Sequence, residues 1–193
     1  VASLLPPSAQ LASLQLPFIA NHGQVDPRVA YYASTFAGTV FVNRDGTLVY
    51  SLPARSRRGS LPEPAKDETS VVAGGWTLTE TFVNGNPRPV AGDVTPANVS
   101  YFIGDDSKRW RPRVSSHTRI ALGEVWPGIA VHVEAHGRNV EKLFTIAPSA
   151  DVSGIRMRID GAHRLSIADD GALVLGTGLG EGTLTAPIAW QEK

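Results

Sequence analysis

Residues 129–135 alternate without a break: Ile129, Val131, Val133 and Ala135 fall on one side of an extended chain, and Ala130, His132 and Glu134 on the other. Successive side chains of a strand point to opposite faces, so a period of two predicts a half-buried β-strand. A helix would need its apolar residues three and four apart instead. The pattern returns after Gly137-Arg138, with Val140, Phe144 and Ile146 on one face. Ile155, Met157 and Ile159 then alternate with Arg156, Arg158 and Asp160. Three such runs separated by short turns predict adjacent antiparallel strands. Their apolar residues, Ile129, Val131, Val133, Phe144, Ile146, Ile155, Met157 and Ile159, are expected to form one buried layer.

Strand-like runs fill much of the remaining chain, at 28–35, 38–43, 47–52, 75–83, 98–103 and 116–125. Asn43-Arg44-Asp45-Gly46 and Asp169-Asp170-Gly171 join β-rich runs, and Asp-Gly is a strong hairpin signal because glycine takes positive φ freely. In 75–83, Trp76, Leu78 and Phe82 share a face opposite Thr77, Thr79 and Thr81. Residues 89–96 read as irregular, and 105–110 as one helical turn capped by Asp. A last strand is expected over 184–190, broken by Pro187. No window carries an amphipathic helix of ten residues. The pattern predicts an all-β, antiparallel β-sandwich-like domain with long loops and at most short helical turns. Residues 1–16 read as a lead segment and 17–193 as a single domain. Residues 53–70, rich in Pro and Arg and without an apolar period, read as a mobile loop.

Composition narrows the function classes. Eighteen basic side chains balance eighteen acidic ones, and only 19% of residues are charged. A nucleic-acid binder needs a basic surplus that this chain lacks. Apolar stretches fall short of the ~18–20 residues of a membrane span. With no Cys there is no disulfide, no thiolate nucleophile and no thiolate metal site.

His132, Glu134 and His136 are the sharpest local constellation. Positions i, i+2 and i+4 of a strand share a face, and a His-x-His pair so placed can chelate a metal. The outer two lie ~13 Å apart along a strand, too far for one ion without a bulge. A half-buried strand needs polar residues on its wet face in any case. The run Lys108-Arg109-Trp110-Arg111-Pro112-Arg113, with His117 and Arg119 beyond, suits either a polyanion or cation stems packed over an aromatic. Gly176, Gly178, Gly180 and Gly182 lack the following helix and Lys-Ser/Thr pair of a phosphate loop, and read as a hairpin. Neither a Gly-x-Ser-x-Gly elbow nor a His-Glu-x-x-His motif occurs, and no cofactor is expected.

Phe18-Ile19-Ala20-Asn21-His22-Gly23-Gln24-Val25-Asp26 resembles the Phe-x-x-Asn-x-Gly-Gln-x-Asp opening of an uncharacterised domain at the N-terminus of bacterial SBBP-repeat proteins, which are of β-propeller type. The likeness continues in order through residues 98–106 with Trp110, through Val125-Trp126-Pro127-Gly128-Ile129, through 141–144, 148–151 and Gly161-Ala162, to 187–191. It departs mildly: Trp126 and Trp190 stand where that family has Tyr, Ser149 where it has Gly, and Lys142-Leu143 where it has an aromatic–acid pair. The region of His132, Glu134 and His136 is aromatic or aliphatic there. The resemblance implies an exported or cell-surface bacterial protein whose β-modules follow in the same polypeptide. It carries over no catalytic residue.

The reading is therefore a non-enzymatic structural or adhesive module, with downstream β-modules, and a glycan or surface protein, as its partners. The alternative is a carbohydrate-binding module using exposed aromatics, for which Tyr31, Tyr32, Trp76 and Trp110 are the candidates. A hydrolase with dispersed acidic residues ranks third.

Overall fold

The computed structural model describes residues 14–53, 75–102 and 105–191. In chain order its strands are β1 (Gln15–Leu16), β2 (Phe18–Ala20), β3 (Val29–Thr35), β4 (Gly38–Asn43), β5 (Leu48–Leu52), β6 (Trp76–Phe82), β7 (Val90–Ala91), β8 (Val94–Tyr101), β9 (Arg111–His117), β10 (Arg119–Trp126), β11 (Ile129–His136), β12 (Asn139–Ile146), β13 (Met157–Asp160), β14 (Arg164–Ile167), β15 (Leu173–Thr177) and β16 (Gly180–Leu184). Helical structure among the described residues is confined to two 3-10 turns, Ser107–Arg109 and Val152–Gly154. Asp106 caps the first and Asp151 the second, each accepting the N–H two residues on. The domain is an all-β sandwich, as the alternation predicts.

An eight-stranded sheet runs β13-β6-β5-β4-β3-β2-β9-β8. A second sheet runs β1-β11-β10-β7, with β12 pairing the other strand-long flank of β11. Every pairing is antiparallel. The chain passes between the sheets at Thr118, the single residue separating β9 from β10. The inner faces meet in one core. Phe18, Ala33, Val40, Val42, Leu48 and Phe82 come from the larger sheet; Ile120, Leu122, Trp126, Ile129, Val131 and Val133 come from the smaller. Trp126 packs between Phe82 and Phe144, at 5.7 and 6.4 Å between ring centres. Its indole N–H donates to the Val83 carbonyl at 3.0 Å, so the polar edge of the largest core ring is satisfied. A third, three-stranded sheet, β14-β15-β16, closes one end.

β11 behaves as its alternation requires: Ile129, Val131, Val133 and Ala135 are buried and the residues between them half-buried. The single expected layer needs correcting. β12 does return beside β11, but Ile146 at its far end is 47% exposed. The run holding Met157 and Ile159 does not join β12. After the Val152–Gly154 turn it crosses to the larger sheet and pairs with β6 in the register Met157↔Phe82. Met157, with Ile155, still packs against the core from there. The final strand also differs: β16 occupies Gly180–Leu184, and residues 185–191 leave the sheet. Residues 89–96, expected to be irregular, supply β7 and the start of β8. Gln15 and Leu16, within the expected lead segment, pair with His136 and Ala135. The expected loop at 53–70 lies outside the described residues, apart from Pro53.

Two turn positions take a positive φ for different reasons. Gly128 closes the β10–β11 hairpin at φ 72°, and a Cβ there would meet the Ala150 methyl at 2.9 Å. Ser149 sits at φ 67°. That is the left-handed region, which side-chain-bearing residues occupy at a cost and glycine does not.

Candidate functional site

The Asn21–Asp26 motif is a folded loop between β2 and β3, held by its own side chains. The Asn21 amide donates to the carbonyls of Asp26 (2.8 Å) and Val29 (3.0 Å), and its oxygen accepts the Gly23 N–H at 2.9 Å. Gln24 donates to the Ala20 carbonyl at 2.7 Å and accepts the His22 N–H at 2.6 Å. Asp26 accepts from the Arg28 backbone N–H and guanidinium. Phe18 anchors the loop in the core at zero exposure. The motif therefore encodes a shape, with its amides spent on backbone groups that would otherwise go unpaired. Asn21→Ala is expected to lower stability by about 1–3 kcal/mol, the cost of orphaning part-buried backbone donors and acceptors, read from chemical denaturation midpoints.

Asp26 adds a pH dependence. Hydrogen bonds from the Arg28 side chain and then its backbone N–H bring its carboxyl down from 3.8 to about 2. The fold stabilises the carboxylate, so the contribution is present above about pH 4 and is lost as pH falls through about 2. An Asp26→Asn variant should fall below the parent in denaturation midpoint near neutrality, and the gap should close as pH approaches 2.

Arg111 ties this loop to the next. Its Nε donates to the His22 carbonyl at 2.7 Å, and its Nη1 to the carbonyls of Lys108 (2.6 Å) and Trp110 (3.0 Å). The basic run is thus partly consumed in holding the fold. His117 is buried with Nδ1 against the Gly92 carbonyl, and Arg119 reaches Asp93 at 3.5 Å.

The four candidate aromatics do not form one platform. Tyr32 is buried; its hydroxyl donates to that of Tyr101 at 2.6 Å, and burial together with this bond raises the Tyr101 phenol above its ordinary range. Tyr31 is half-buried, edge-on to His117, with its oxygen accepting the Ala91 N–H at 3.1 Å. Trp76 lies three strands away on β6, roughly 14 Å by strand spacing. Its indole donates to the Gly161 carbonyl at 2.6 Å and its ring packs on His163. Only Trp110 is presented outward, 40% exposed and edge-on to Phe102, which is 63% exposed.

On β11, Glu134 and His136 meet at 3.2 Å, while His132 stands opposite Ala121 and Leu143. Among the described residues no three His, Asp or Glu side chains gather as a metal would need.

Two features escaped the sequence reading. The first is a buried polar triad. Lys142 of β12 donates to both carboxylate oxygens of Glu80 on β6, at 3.0 and 2.8 Å, and the Tyr50 hydroxyl donates to one of them at 3.0 Å. The Glu80 side chain is 4% exposed and that of Lys142 12%. Burial, then the Glu80 charge, pushes the Tyr50 phenol well above its usual range. The triad bolts one sheet to the other beside a small cavity of about 70 Å³ lined by Leu52, Leu78, Ile159, Leu175 and Leu184. The signal was present in sequence: Glu80 sits on the Trp76/Leu78/Phe82 face of one strand, and Lys142 on the Val140/Phe144 face of another. The second feature is an open cleft of about 300 Å³ beside the motif loop, lined by Asn21, His22, Ala30, Tyr31, Arg44 and Pro89.

These observations define a β-sandwich domain whose motif residues build its loops and whose distinctive buried chemistry joins its sheets. The chain matches the family model for a domain of unknown function, DUF7948, over residues 18–193, and it belongs to that family. No curated protein and no solved structure matches it.

Proposed function

We propose that this domain is a non-catalytic structural or adhesive module of a larger exported bacterial protein, coupled through its three-stranded sheet to β-modules in the same polypeptide. The supporting observation is that sheet's unsatisfied surface. In an antiparallel ladder, directly opposed residues share a face. Leu165 and Ile167 of β14 oppose Leu175 and Leu173 of β15, and Leu173 opposes Leu184 of β16. Leu175 and Leu184 cover the small cavity against the larger sheet. Leu165 and Ile167 lie on the same face, 49% and 78% exposed, on a strand with one edge unpaired among the described residues. Ile188 and Trp190, at 83% and 73% exposure, follow along the chain. Free edges and clustered exposed apolar residues are what an interacting β-surface offers. Terminal units of β arrays need such coupling to their neighbours. No helix among the described residues is long and apolar enough to cross a membrane.

The test compares denaturation midpoints of this domain alone and within the longer polypeptide. Coupling should raise the midpoint in the longer chain, and Ile167→Lys should remove the increment there while barely affecting the isolated domain. Equal midpoints in both settings would refute the reading.

A second reading, glycan binding, is supported by the outward-facing Phe102–Trp110 pair. Glycan-array binding without turnover, lost in Trp110→Ala, would favour it.

A further inference from the structure

The cleft beside the motif loop has a one-sided chemistry. Among the described residues no carboxylate lines it. The acids nearest in sequence are already engaged: Asp26 by Arg28 at 2.9 and 3.1 Å, and Asp45 by the Thr47 N–H at 2.9 Å. What the cleft offers is donors. Arg44 is pinned by its Nε to the Pro27 carbonyl and by its backbone N–H to the Arg28 carbonyl, both at 2.8 Å. Its two Nη groups meet no acceptor among the described residues. The Tyr31 oxygen accepts the Ala91 N–H, which leaves its own proton uncommitted among those residues. The His22 ring likewise makes no hydrogen bond there, while its backbone is fixed on both sides by Gln24 and Arg111. The Asn21 amide is consumed inside the loop.

A guanidinium held through Nε presents its remaining N–H groups as a pre-oriented fork, which matches a carboxylate in two parallel bonds. The same fork also fits phosphate, but one cation balances one negative charge and leaves the second charge of a phosphate dianion uncompensated. The volume stands at the lower end of small-molecule sites, and Ala30 and Pro89 give apolar walls for ring carbons. We propose that this cleft binds the carboxylate of a small organic acid of monosaccharide size, a sugar acid, with Arg44 as the fork and His22 and Tyr31 as flanking donors. The proposal stands apart from the module reading, which concerns the three-stranded sheet beside β5, β6 and β13, whereas the cleft lies beside β2, β3 and the end of β4.

The experiment is a titration of the whole chain with sodium glucuronate, followed by NMR shifts or calorimetry. Glucose and inorganic phosphate are run alongside at matched ionic strength. Glucuronate should bind at least about tenfold more tightly than either, the discrimination expected of one charge-assisted pair. Arg44→Ala should abolish that margin, and Arg44→Lys should recover part of it. Should Arg44→Ala fail to fold for want of its Pro27 bond, His22→Ala leaves the loop's hydrogen bonds in place and should weaken glucuronate several-fold. Glucose binding as well as glucuronate, no glucuronate binding at all, or full binding in a folded Arg44→Ala or His22→Ala variant would overturn the proposal. Phosphate binding as tightly as glucuronate would overturn the carboxylate assignment. None of these outcomes bears on the coupling measured through Ile167.

Discussion

Lys142→Met is expected to cost about 3–5 kcal/mol, the penalty of leaving a buried carboxylate without its cation. Glu80 is almost wholly enclosed, and Lys142 supplies two of the three hydrogen bonds that satisfy its oxygens. With the lysine gone, the Tyr50 hydroxyl is the one hydrogen-bond partner left to the buried Glu80 carboxyl among the described residues. A domain of this kind holds only about 5–15 kcal/mol in total, so the variant should lie near the edge of folding. The double variant Glu80→Leu/Lys142→Met removes both charges, and apolar replacements of similar volume often restore a buried pair's worth. Its denaturation midpoint should recover most of the loss, short of the parent's by the cost of the Tyr50 hydroxyl left without its acceptor, about 1–3 kcal/mol. A Lys142→Met loss below about 1 kcal/mol, the value of an exposed pair, would mean that the triad is solvated.

The second large effect distinguishes two positions on neighbouring strands. Val131 is 1% exposed and lies opposite Phe144; Ile146 lies opposite Ile129 but is 47% exposed. Val131→Asp places an unpaired carboxylate between the sheets. That costs several kcal/mol even after relaxation, and folding, followed by circular dichroism and soluble yield, should fail. Ile146→Asp should cost no more than about 1 kcal/mol, as at ordinary partly exposed positions. Tolerance at Val131 would place the β11 register off by one, since a single-residue slip exchanges the two faces.

The same two residues show what sequence can and cannot specify. Alternation gave the faces of β11 correctly because a period of two is a local property of the chain. It gave the bounds of β4, Gly38–Asn43, for the same reason, with a turn signal to close it. Alternation does not name a partner. Met157 and Ile159 read as a continuation of β11 and β12, yet a 3-10 turn carries them to β6 in the other sheet. Ile146 reads as core, yet it is 47% exposed although its cross-strand partner Ile129 is fully buried, because β12 flanks the sheet, pairing β11 alone among the described strands.

The candidate site was legible to the same degree. The Asn21–Asp26 motif stood out as a string, while its role as a hydrogen-bonded loop depends on carbonyls of Asp26 and Val29 that adopt no recognisable pattern in sequence. Trp76 and Tyr32 looked available for ligands, but Gly161 and Tyr101, distant in sequence, had already claimed their polar atoms. Glu80 and Lys142 were each out of place on an apolar face. Each is a lone anomaly until the fold brings β6 and β12 together.

The proposed coupling through β14 is tested most directly by amide hydrogen exchange, measured on this domain alone and within the longer polypeptide. β14 is exposed along its whole length and has one edge free among the described residues, so its amides should exchange quickly in the isolated domain. In the longer polypeptide, amides of residues 164–167 and 186–191 should become protected while those of β4 and β11 stay as they were. Unchanged, rapid exchange at 164–167 in both settings would contradict the account.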